Sequence, residues 1–137
     1  MKQVGCNEVD KSMNEMEEFD YTVEQFADLQ LLRYKVYGFE ELSLKQKELI
    51  YYLSQAALQG RDILFDQNGK YNLLIRKMLE TVYTEYQGDR TDVNFVNLET
   101  YLKRIWFSNG IHHHYASDKF VPGFTPEFLR DALNSVD

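Results

Sequence analysis

From Tyr71 to Trp106 the large apolar residues recur every three or four positions. Tyr71, Leu74, Ile75, Met78, Val82 and Tyr86 make one stripe, and Phe95, Leu98, Leu102, Ile105 and Trp106 make a second. That period places each set on one side of an α-helix. Only a polar link, residues 89–92, separates them, so the two stripes are expected to close on each other. Gln87-Gly88 ends the first helix, because glycine takes the conformations a helix end needs. Asp92 is a candidate N-cap for the second and Gly110 its candidate stop.

The same reading extends along the chain. Phe19, Val23, Phe26, Leu29, Leu32 and Val36 predict a helix over 19–36, ended by Gly38. Ser43-Leu44-Lys45-Gln46 is a capping-box pattern. The helix that follows carries Leu49, Leu53, Ala56 and Ala57 on one side. Gly60 caps it or is carried through into Ile63, Leu64 and Phe65. Asn68-Gly69 marks a turn. Thr125-Pro126-Glu127 opens a last helix: a capping hydroxyl, proline at the first position, then an acid in the first turn. The expected architecture is all-α, with about five amphipathic helices packed as an irregular orthogonal bundle and an aromatic and His-rich loop. It would comprise a flexible acidic leader, 1–18, and a helical domain, 19–137.

Charge supports that division. The 137 residues carry a net charge of −7. Eight acids and only two bases fall within residues 1–28, while the remainder is nearly neutral. No stripe of Lys and Arg offers itself to a nucleic acid, so that partner class is excluded. The single cysteine, Cys6, excludes a disulfide scaffold. No apolar run approaches the roughly 18 residues of a membrane span. No apolar stretch follows Lys2, so there is no complete signal peptide. Val4-Gly5-Cys6 is nevertheless similar to the end of a bacterial lipoprotein signal, which makes Cys6 a possible lipidation site. A free cysteine in a polar tail is the plain alternative. A membrane is a partner only if Cys6 is lipidated. Both a cytoplasmic and a lipoprotein-anchored parent stay open.

The most concentrated chemistry lies between Tyr101 and Gly123, where Trp, Phe, Tyr and three histidines crowd a loop. His112-His113-His114 offers imidazole nitrogens. In an extended loop His112 and His114 share a face while His113 points away. A closed zinc site needs about four ligands, and only Asp118 is close by. Residues lining a cleft are therefore the better expectation than a metal site, and a metal-binding protein built on the triplet is the weakest reading. The chain contains no H-E-x-x-H, no G-x-S-x-G and no phosphate-binding glycine loop. No catalytic residue and no metal ligand is assigned.

Ser108-Asn109-Gly110, then His112 to Tyr115, then Ser117-Asp118-Lys119-Phe120-Val121-Pro122 resembles the N-terminal lobe of dipeptidyl peptidase III, a family of zinc exopeptidases. The runs Phe26 to Tyr34 and Leu49 to Asp62 resemble its bacterial branch. The resemblance spans residues 19–137. It implies that this chain is part of the upper lobe of a larger metallopeptidase that releases dipeptides from peptide N-termini. It also implies that Asn109, His114, Tyr115 and Lys119 face an oligopeptide substrate. Zinc belongs to the full-length parent, because the family's H-E-x-x-G-H motif has no counterpart in these residues. The chain alone is expected to be inactive. The alternative from the residues themselves is a stand-alone helical module that binds a peptide or a protein.

Overall fold

A computed structural model describes residues 19–136. The leader and its Val4-Gly5-Cys6 element lie outside the described residues. The chain divides into two compact units between Glu41 and Leu42.

The first unit corrects the all-α expectation. Residues 22–32 are not a helix but an antiparallel hairpin, with strand β1 at Thr22–Phe26 and strand β2 at Leu29–Leu32. The fold class is therefore mixed, helices with a two-stranded sheet. The reason is local. Tyr21, Thr22, Val23 and Phe26 favour an extended backbone, because branched and aromatic side chains lose less freedom there. Gln25 faces Gln30 and Phe26 faces Leu29, with an irregularity between Thr22 and Glu24. The Gln30 side chain donates to the Thr22 hydroxyl at 3.1 Å. At the open end, the Arg33 backbone N–H donates to the Tyr21 carbonyl at 2.9 Å, and its guanidinium to the Asp20 carbonyl at 2.7 Å. Ala27 completes the turn at φ 50°, a left-handed conformation that costs a residue with a Cβ about 1–2 kcal/mol.

The second unit holds five helices: α1 Leu44–Gln59, α2 Arg61–Asn68, α3 Asn72–Glu85, α4 Val93–Ser108 and α5 Pro126–Asn134. The bundle expected from the sequence differs here too, since one predicted helix became the hairpin; at Gly60 the capping alternative holds, with α1 ending there and α2 starting at Arg61. Ser43 closes its capping box: the Gln46 N–H donates to the Ser43 hydroxyl, and the Ser43 N–H to the Gln46 side chain at 2.9 Å. Asp92 caps α4 by accepting from the Asn94 N–H at 2.8 Å. Thr125 caps α5, with Pro126 behind it.

The core lies between α3 and α4. Leu79 and Val82 from one meet Leu98, Leu102 and Ile105 from the other. Phe65 of α2 and Ala132 of α5 complete it. Among the described residues no helix is long and apolar enough to cross a membrane.

One polar chain fastens α2, α3 and α4 beside this core. Arg76, buried on α3, lies over Phe65 with 4.5 Å from guanidinium to ring centre. It bonds Asp62 at 2.6 Å and pairs with Glu80 at 3.3 Å. Glu80 in turn accepts from the Trp106 indole N–H at 2.7 Å. The Arg76 hydrogen bond, followed by one from Lys77, holds the Asp62 carboxyl below its ordinary value of 3.8. Asp62 is therefore ionised further down the pH scale folded than unfolded. Its contribution to stability is present above the unfolded value and is lost as pH falls through the lowered folded one. Asp62→Asn should lower Tm at neutral pH and flatten the fall of Tm below pH 3.8, read by thermal melts across an acid series.

Candidate functional site

The end of α4 sets the geometry. Asn109 follows the helix in the left-handed conformation, φ 53°, and its N–H and that of Gly110 both donate back to the Ile105 carbonyl. Asparagine tolerates this conformation better than other residues with a Cβ. The chain therefore reverses sharply into the loop 111–120. The loop is a narrow ladder: Phe120 N–H donates to the Ile111 carbonyl, and His113 N–H to the Asp118 carbonyl, each at 2.8 Å. His112 and Lys119 pair across it. Aromatic contacts pin it to α4, with the Phe107 ring edge-on to His114 at 5.1 Å and the Arg104 guanidinium over Phe120 at 5.3 Å. Further on, Asn97 donates to the Gly123 carbonyl at 2.7 Å, and Asn94 accepts from the Thr125 N–H.

Beneath the loop lies a cavity of about 360 Å³. Asn68 from the end of α2, Asn72 from the start of α3 and Ser108 from the end of α4 form its floor. Gly110, His112, His113, His114, Ala116 and Ser117 form its wall. Asn72 is buried, and its side-chain oxygen accepts from the Ile111 N–H at 3.3 Å. That bond fixes the amide orientation, since the reverse would set two donors face to face. The Asn72 NH₂ is left without a partner, and so is the buried Ser108 hydroxyl. Buried polar groups in folded proteins are rarely unpaired. Asn72 and Ser108 both line the cavity as residues, but these two atoms are closed to solvent, as is the Arg76 Nε away from it.

Glycines give Asn72 its space. A Cβ on Gly110 would come within 2.4 Å of the Asn72 amide nitrogen, and one on Gly69 within 3.0 Å. Asn68 donates to the Asn109 carbonyl at 3.2 Å, tying α2 to the end of α4.

The four residues expected to face a substrate fall in different places. His114 lines the cavity. Asn109 shapes it through its backbone and is not among the lining residues. Tyr115 is 88% exposed and stands outside it, in ring contact with His114 at 4.1 Å. Lys119 is exposed on the far strand of the loop. The sequence reading missed Asn68, Asn72, Ser108 and Gly110 as floor and wall. Asn68 signals a turn, Ser108 and Gly110 belong to the loop motif and Gly110 also stops a helix; none of these signals points to a pocket lining.

The histidines do not converge. His113 and His114 stack with ring centres 4.5 Å apart and planes 28° from parallel. The His113 Nδ1 accepts the Tyr115 N–H at 3.2 Å, which makes it unavailable as a ligand. Among the described residues no group of three or more His, Cys, Asp or Glu is gathered to hold a metal ion. The described residues of the loop gather no zinc centre. The arrangement is a pocket lined by three histidines, with the buried side chains of Asn72 and Ser108 behind it.

No protein-family model matches this chain, and no curated protein matches it.

Proposed function

We propose that this chain is part of the upper lobe of a dipeptidyl peptidase III-like zinc peptidase and supplies one wall of its oligopeptide cleft. The parent enzyme would release dipeptides from peptide N-termini, with zinc held elsewhere in the longer polypeptide. The observation that carries the reading is the pocket of about 360 Å³ beneath the aromatic loop, lined by His112, His113 and His114. Ring side chains give such a pocket apolar contact area, and their polar edges can orient a peptide group that enters it. The Ser-Asn-Gly to Asp-Lys-Phe-Val-Pro resemblance spans this same loop and supports the same assignment.

The test is hydrolysis of a dipeptidyl naphthylamide with and without zinc. The 137-residue chain should show no turnover, and the longer polypeptide read from its source gene should show zinc-dependent turnover. Robust hydrolysis by the isolated chain, or none by the longer one, would overturn the reading.

A further inference from the structure

The dipeptide Asn-Gly occurs twice, as Asn68-Gly69 and Asn109-Gly110. Both pairs belong to the cavity: Asn68 lines its floor, and Asn109 turns the chain into the loop that walls it. Asparagine is a chemically labile residue, most of all before glycine. The glycine backbone nitrogen can attack the asparagine side-chain carbon, and no Cβ on the glycine hinders its approach. That nitrogen must shed its proton, so a hydrogen bond from it to a buried acceptor opposes the reaction.

The two pairs differ on this point. The Gly110 N–H donates to the Ile105 carbonyl at 3.1 Å. Gly110 is buried, and Asn109 is half-buried in the left-handed conformation. At the end of α2 the Gly69 carbonyl accepts from the Asn72 N–H at 3.0 Å, but among the described residues the Gly69 N–H meets no backbone acceptor. Asn68 is exposed, so water reaches it. Its side-chain amide donates to the Asn109 carbonyl at 3.2 Å, and an exposed bond of this kind opens at small net cost.

We propose that Asn68 is a site of spontaneous deamidation, and that its conversion unfastens α2 from the end of α4 at the pocket. The Gly69 nitrogen bonds to Asn68 Cγ and gives up its proton. The Cγ–Nδ2 bond breaks, and the nitrogen leaves with that proton as ammonia. Water then opens the resulting succinimide at either carbonyl carbon, to aspartate or to isoaspartate. The net change consumes a water and releases an ammonia, with nothing oxidised or reduced. Both products lack the amide donor that reaches Asn109. Both set a carboxylate against the Asn109 carbonyl, at the C-terminal end of α2, where the helix carbonyls already carry partial negative charge. None of this depends on what the pocket binds.

Peptide mapping by mass spectrometry tests it on the 137-residue chain, incubated folded at neutral pH in heavy-oxygen water. Asn68 should convert faster than Asn109 by about 10-fold or more, the protection a hydrogen bond gives Gly110. In urea, with both glycine N–H groups solvated, the two rates should converge. Equal rates in the folded chain, faster conversion at Asn109, or an Asn68 left intact while the unfolded chain converts would overturn the site. Asn68→Asp, read by hydrogen exchange, tests the consequence. The Asn109 and Gly110 amides should exchange about 10-fold faster than in the unchanged chain. Unchanged exchange there would overturn the unfastening.

Discussion

Leu102→Ala is expected to destabilise the helical unit by about 3 kcal/mol, lowering its Tm by roughly 12–24 °C. Leu102 is fully buried, at 0% exposure, between α3 and α4. Truncation removes the transfer free energy of its lost carbons and leaves a cavity that the helices only partly close. The cost is large because this core is narrow. Few other side chains lie fully inside it, so little remains to compensate. The same change at Leu53, exposed on α1, should cost less than about 0.5 kcal/mol in this chain. Urea denaturation of both variants, followed by far-UV circular dichroism, makes the comparison. Equal losses at the two positions would contradict the core described above.

The second large effect is expected at Gly110. Gly110→Ala places a methyl group within 2.4 Å of the Asn72 amide nitrogen and 2.9 Å of its Cγ. Asn72 cannot swing aside cheaply, because it is buried and holds the Ile111 N–H. Over-packing of this kind costs about 1–3 kcal/mol. The substitution should also drive Asn72 out of the cavity floor. A double-mutant cycle isolates the cause. Asn72→Ala removes the obstruction, so the pair should be less destabilised than the sum of the singles by about 1–2 kcal/mol. Strict additivity in denaturant melts would show that the methyl group does not meet Asn72.

These two positions also mark what a reader of the sequence could see. The α3 and α4 stripes were legible because both helices bury one side against each other, which is the arrangement that produces a regular period. Three helix starts were legible for local reasons: Ser43 on α1, Asp92 on α4 and Thr125 on α5 satisfy N–H groups within three residues. The hairpin was not. Phe19, Val23 and Phe26 happen to fall at helical intervals, and the turn is made by Ala27 rather than the Asn-Gly or Asp-Gly pair that announces a hairpin. Helix α1 was legible from its Ser43 capping box and from Leu49, Leu53, Ala56 and Ala57 on one side, but not that this side would lie exposed.

The site was legible only in its loop. His114 stands out in any reading, and it does line the cavity. Asn72 and Ser108 do not stand out, because a polar residue at a helix end reads as solvated until a second chain segment is seen to fold over it. What buries them is the reversal at Asn109, a long-range consequence of one residue's left-handed backbone. Gly110 carried a visible signal, but its purpose is space for Asn72 and not only the end of a helix.

The hydrogen bond from the Trp106 indole to Glu80 has an optical consequence. Trp106 is the chain's one tryptophan, so all indole emission comes from a single ring anchored across α3 and α4. The fluorophore thus sits at one end of the chain of contacts through Glu80 and Arg76 to Asp62, with no second indole to mix with its signal. A change in its spectrum on acidification or denaturation is a reading of that junction alone, obtained without attaching a label.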